Sequence, residues 1–303
     1  TKPLSSCCND IDYNGTRWIA VGAGSSNLVY SDDNGSSWTD SNVTHSNSID
    51  AISWSGNIWV AGGGGANPIM YTNDFVGITG WNVASTSITK VNKIFWSQNK
   101  FHAAGEGTTS YEYSTDGATW APGINVFATS GNSFSYDGSK LTMSGKDTVN
   151  NNVLAFSLNN GLNWTHINKS TEIFTTNVYD IAWNGSYWVA GGEGLHNTLA
   201  YSSDGTEWTG LKKYVFSEKT NGIVYDNDKW LALGEGNTNT MAYSYDSINW
   251  FGMGTSIFSV QGKKTLFNGK IWVAVGEGTT NTVAYSYDGI NWTGVRRTYL
   301  SNG

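Results

Sequence analysis

Apolar and polar positions along this chain change over in short runs. Stretches of four to seven apolar or alternating residues, such as WVAVG (272–276) and VAYS (283–286), lie between clusters of Gly, Asn, Asp and Ser. Runs of that length bounded by turn residues read as β-strands. No 3.6-residue period extends over helical length, so no helix is expected. The order of the runs also recurs. Residues 188–211 read WVAGGEGLHNTLAYSSDGTEWTGL, and 230–253 (WLALGEGNTNTMAYSYDSINWFGM) and 272–295 (WVAVGEGTTNTVAYSYDGINWTGV) nearly repeat them.

Seven tryptophans close the units of this repeat: Trp38, Trp81, Trp120, Trp164, Trp208, Trp250 and Trp292, spaced by 43, 39, 44, 44, 42 and 42 residues. Each unit has four parts. A first run ends in an aromatic and a turn (Tyr13, Trp54, Trp96, Tyr136, Trp183, Tyr225, Phe267), and a second apolar run ends in glycine. A third run reads like LVYS or MAYS, and a fourth begins at the closing Trp. Four antiparallel strands repeated at this period predict an all-β fold, a seven-bladed β-propeller of four-stranded antiparallel blades. The expected single domain spans 1–303, with blades at roughly 1–43, 44–86, 87–126, 127–173, 174–215, 216–257 and 258–303. One four-stranded sheet has two apolar faces and can cover neither alone; blade packed on blade around an axis covers both. That requirement explains a second strand that is apolar at successive positions. An apolar residue nine positions before the first-strand aromatic recurs as Leu4, Phe127, Phe174, Phe216 and Phe258, so unit 1 begins in phase and closure is expected from blade 1 packing on blade 7.

Composition agrees with short strands and tight turns. Charged residues are 14% of the chain, against ~25% in average domains. Net charge is −7, which repels phosphate backbones and argues against a nucleic-acid partner. No run of 18 apolar residues is present, so no membrane insertion is expected, and no signal peptide is seen. A soluble protein is expected, with its compartment open. The adjacent Cys7 and Cys8 are poorly placed for a mutual disulfide and read as free thiols, compatible with a reducing compartment.

The turn before the closing Trp carries a resemblance. SDDNGSSW (31–38) is similar to the Asp-box pattern S-x-D-x-G-x-x-W of BNR-like propellers, and STDGATW, SSDGTEW, SYDSINW and SYDGINW are near forms of it. Kelch repeats, with paired glycines and a Tyr and Trp separated by six residues, are a second resemblance (Gly191-Gly192, Tyr201 and Trp208). The Asp side chain bonds turn amides as Asx-turns do, so Asp33, Asp116, Asp204, Asp246 and Asp288 are read as structural turn residues.

The Asp-box resemblance invites a sialidase reading, which implies three arginines clamping a substrate carboxylate. The chain has Arg17, Arg296 and Arg297 alone, and strand neighbours point to opposite faces, so that clamp cannot form. No catalytic residues are assigned. No cofactor fingerprint appears, and the four histidines have no metal-ligand spacing, so no cofactor and no metal are expected. The recurrent acid is the Glu of GEG: Glu106, Glu193, Glu235 and Glu277, in loops between second and third strands. With Asn197, Asn239 and Asn281 these form the candidate ligand-binding set, on a face opposite the Asp-box turns. The bland alternative is that each Glu accepts bonds from nearby groups. The favoured reading is a non-catalytic binding propeller for a glycan, lectin-like through those loops. A protein-interaction scaffold is the alternative, and a glycoside hydrolase with an unrecognised acid pair the third. The pairs Lys212-Lys213 and Arg296-Arg297 are expected on the outermost strand, guarding its edge.

Overall fold

The computed structural model describes residues 7–24, 26–41, 43–77, 79–168 and 170–295. Within them the chain forms seven four-stranded antiparallel meanders, each in chain order. The first strands are Cys7–Tyr13, Ile49–Trp54, Ile88–Ser97, Ser130–Tyr136, Asn177–Trp183, Lys219–Asp226 and Gln261–Phe267. They lie side by side around the axis, and the first strand of blade 7 lies against that of blade 1. The molecule is a seven-bladed β-propeller.

Burial explains the ring. The second strands, such as Trp18–Ala23 and Trp272–Glu277, are buried along nearly their whole length. Trp18, Trp59, Trp188, Trp230 and Trp272 are at most 1% exposed. Each such side chain contributes roughly 1.5–3 kcal/mol by leaving water. Seven hydrophobic clusters occupy the seven junctions between blades. The closing one joins Ile11, Trp18 and Val29 of blade 1 to Val273, Val275 and Val283 of blade 7. Phe127, Phe174, Phe216 and Phe258 are fully buried, as their register predicts, while Leu4 lies outside the described residues.

Three details differ from the sequence expectation. One helical turn, Ser170–Ile173, links blades 4 and 5; at four residues it is too short for periodicity to reveal. The fourth strands are two residues long in every blade and begin directly after the closing Trp, not at it, as in Thr209–Gly210. Lys212 and Lys213 therefore sit in the turn beyond the outer strand and do not guard its edge; the edge is blunted by its shortness. Arg296 and Arg297 lie outside the described residues.

Candidate functional site: the mouth of the central channel

Every first strand carries a β-bulge at one register. Pairing with the second strand skips one residue, four positions before the strand's aromatic: Asn9, Asp50, Asn92, Asn132, Tyr179, Asn221 and Lys263. A bulge frees its extra residue from the ladder and re-aims it. The glycine ending each second strand makes room for the kink. A Cβ on Gly234 would lie 2.3 Å from the Lys219 carbonyl oxygen, and one on Gly192 would lie 2.2 Å from that of Asn177. The strand-end glycine is thus a close-approach glycine, and it sets where the bulge falls.

All seven bulged residues line one cavity of about 520 Å³ at the mouth of the channel. Four of them are asparagines that tie one blade to the next. Asn9 donates to Ile49 O (3.2 Å), Asn92 to Gly131 O (3.0 Å), Asn132 to Val178 O (2.8 Å) and Asn221 to Gly262 O (2.9 Å). Asp50, Tyr179 and Lys263 depart from this clamp. Asp50 accepts from Asn9 (2.8 Å) and Ser48 (2.7 Å), and burial raises its carboxyl pKa. Tyr179 donates to Glu193 Oε2 (2.9 Å), and burial together with that carboxylate pushes its hydroxyl to about 12. Burial and the neighbouring Lys219 lower the Lys263 amine.

One residue further along, the first strands read Asp10, Ala51, Lys93, Ser133, Asp180, Gly222 and Lys264 around the ring. Lys93 Nζ meets Asp10 Oδ2 at 2.8 Å, and Lys264 Nζ meets Asp180 Oδ2 at 2.5 Å. Each pair reaches across an intervening blade whose residue at this register is small, Ala51 or Gly222. The same carboxylates accept edge amides, Ile52 N on Asp10 (3.1 Å) and Ile223 N on Asp180 (2.6 Å). Asp180 also takes the Ser133 hydroxyl. Asp10 raises the pKa of Lys93 and outweighs its burial. The two arrangements repeat each other and floor the cavity with paired charge.

The structure distributes the sequence-predicted residues differently. Of the four glutamates, Glu106 lines the cavity. Each Glu has a partner on its own first strand: Lys90 with Glu106 (3.1 Å), Tyr179 with Glu193, Lys219 with Glu235 (3.0 Å) and Gln261 with Glu277 (3.0 Å). Asn197 and Asn239 have both ends of their amides engaged by backbone. Asn197 spans Ile173 O and Lys212 N, and Asn239 spans Val215 O and Gly254 N. Asn281 donates to Ile257 O and is 5% exposed. These asparagines staple the incoming connection to its blade and are turned away from the mouth cavity. The first-strand residues that do line it were missed because the sequence reading followed loops. Their signal was the broken alternation before each aromatic, opposite a strand-end glycine.

On the opposite face, the exposed turn aspartates hold the 3–4 turns. Asp204 accepts the amides of Glu207 (2.9 Å) and Thr206 (2.7 Å), which hold its carboxyl at about 2. At Asp246, bonds from Asn249 and Ile248 outweigh burial and hold it likewise at about 2. Asp33, Asp116 and Asp288 accept equivalent amides, and their pKa values are also lowered. Trp Nε1 then donates to the turn carbonyl, as in Trp292 to Gly289 (3.0 Å). Arg17 pairs with Asp32 at 2.6 Å and covers the Tyr30 ring. Among the described residues, no three His, Cys, Asp or Glu side chains gather to hold a metal, and no helix is long and apolar enough to cross a membrane.

No family model matches the chain, and no curated protein matches it. Solved structures do. A chain of the Mitotic Checkpoint Complex aligns with a TM-score of 0.68 at 11% identity, over 97% of this chain and 87% of that one. The WD40 β-propeller domain of Doa1 aligns at 0.65 and 10%, over 93% and 92%. The computationally designed Ika8 protein aligns at 0.62 and 11%, over 92% and 83%. At such identities the likeness is one of fold.

Proposed function

We propose that this chain is a non-catalytic binding propeller that docks a partner protein on the face carrying the channel mouth. The observation that carries this reading is the bulge register. Seven bulges turn polar side chains into one open cavity, where four clamp the carbonyl of the next blade and three do not. Bulges that re-aim side chains mark functional sites. A chain that aligns with this one is part of a protein assembly, the Mitotic Checkpoint Complex. The aspartates of the opposite face accept amides of their own turns, which supports reading that face as structural and the blades as Asp-box-like.

A photo-reactive residue tests the reading, placed at Asn132 in the mouth or at Tyr287 on the turn face. Covalent capture of a discrete protein from position 132, absent from 287 and unaffected by soluble sugars, is the expected result. Capture at 287 alone, or loss of capture when a monosaccharide is present during irradiation, contradicts it; sugar competition would return the glycan reading, in which Glu235→Gln and Glu277→Gln weaken binding.

A further inference from the structure

The lysines of the chain are not spread evenly. Lys90, Lys93, Lys146, Lys219, Lys263 and Lys264 line the mouth cavity. Four carboxylates share that lining, Asp10, Asp50, Glu106 and Asp180, so lysines outnumber carboxylates among the lining residues of a molecule of net charge −7. Four of the lysines are held in ion pairs, with Glu106, Asp10, Glu235 and Asp180. Lys146 and Lys263 form no ion pair among the described residues.

Both break a repeat. Lys263 occupies the bulge where four blades use the clamping Asn. Lys146 stands at the end of a second strand, paired with Ser130, where blades 3, 5, 6 and 7 place Glu. Neither side chain makes the inter-blade clamp that the asparagines make. Asp50, Glu235 and Glu277 stand near Lys263, but Asn9 and Ser48 bond the first, Lys219 holds the second and Gln261 bonds the third, and the Lys263 amine is still lowered by burial and by Lys219. A half-buried cation held in no ion pair favours an incoming anion. The two lysines sit on opposite sides of the ring, in blades 4 and 7, so one compact anion does not account for both.

We propose that the mouth receives an acidic peptide segment, laid across the channel so that separate carboxylates meet Lys263 and Lys146. This rests on the docking reading above and names the chemistry of the partner.

Fluorescence polarisation of a labelled hexaglutamate peptide tests it on the whole chain, with hexaglutamine and citrate as the other probes. Hexaglutamate binds, more weakly as salt rises, and hexaglutamine does not. Lys263→Met and Lys146→Met each weaken binding about five- to tenfold, the size of one lost charged contact. Lys263→Arg retains it, and Lys270→Met, on the turn face, leaves it unchanged. Thermal melts confirm folding, and Lys146→Met serves if Lys263→Met melts early. No hexaglutamate binding at low salt, equal binding of hexaglutamine, or indifference to both lysines overturns the proposal. So does citrate binding with the same lysine dependence where the peptide fails. Photo-capture at position 132 that is indifferent to both lysines would leave the docking reading standing and remove only the acidic segment.

Discussion

A single missing side chain shapes each blade at the residue scale. The strand-end glycines permit the bulge because the carbonyl of the first strand passes where a Cβ would stand. Gly234→Ala meets rigid backbone, so it costs roughly 1–3 kcal/mol or more, as overpacking does. Gly138→Ala, at φ +100° with nothing within 4 Å, costs only the strain of its backbone, about 1 kcal/mol. Urea melts that rank Gly138→Ala as the more damaging would contradict this account. The turn aspartates carry a pH signature. Asp204 and Asp246 titrate at about 2 in the fold, below the ~3.9 of an unfolded Asp. Their folded pKa is depressed, so their contribution is complete above about pH 4 and is lost as pH falls toward 2. Exposure to solvent keeps it modest. In Asp204→Asn and Asp246→Asn the fall in urea midpoint between pH 4 and 2 should be shallower than in the parent; an identical fall would show that these carboxylates do not contribute. Asp12 acts with the opposite sign. Burial raises it to about 7, so the stability from its folded-state proton is present below about pH 4 and is lost as pH rises through 7.

At the scale of the strand, the bulge divides labour between holding blades together and presenting groups to the mouth. Asn132→Ala removes a 2.8 Å bond to the next blade and leaves the Val178 carbonyl without that donor. A loss of about 1 kcal/mol is expected in a urea melt. Lys264→Met strands Asp180, which is 2% exposed, and costs about 3 kcal/mol; the double change with Asp180→Leu recovers much of it. A double mutant no more stable than Lys264→Met would contradict the pairing. Strands and their order were legible in the sequence because burial on both faces leaves uninterrupted apolar runs such as WVAV. The candidate site was legible only in part. Its glutamates mark the right end of the blade, yet each is held by its own first strand. Lys93 and Lys264 lie three positions before an aromatic in blades that pair across one intervening blade with Asp10 and Asp180. That relation needs the ring, which no window of sequence contains. Asn197 and Asn239 read as exposed loop residues because the connections they staple approach from the preceding blade.

For the whole molecule, the closed ring is what turns seven bulges into one mouth. Without blade 1 seated on blade 7, Lys263 would face solvent and the channel would open along its side. The two ends meet on the turn face as well, where Asn268 Nδ2 lies 3.4 Å from Asn34 Oδ1, 234 residues away along the chain. Gly35 there packs against Val273 of blade 7. A short bismaleimide cross-link between cysteines placed at Asn34 and Asn268, in a Cys7→Ser, Cys8→Ala background, measures that closure directly. Rapid intramolecular cross-linking of the native monomer, abolished in urea, is the predicted result. Cross-links that form only between molecules, or at the same rate in urea as in buffer, would contradict it.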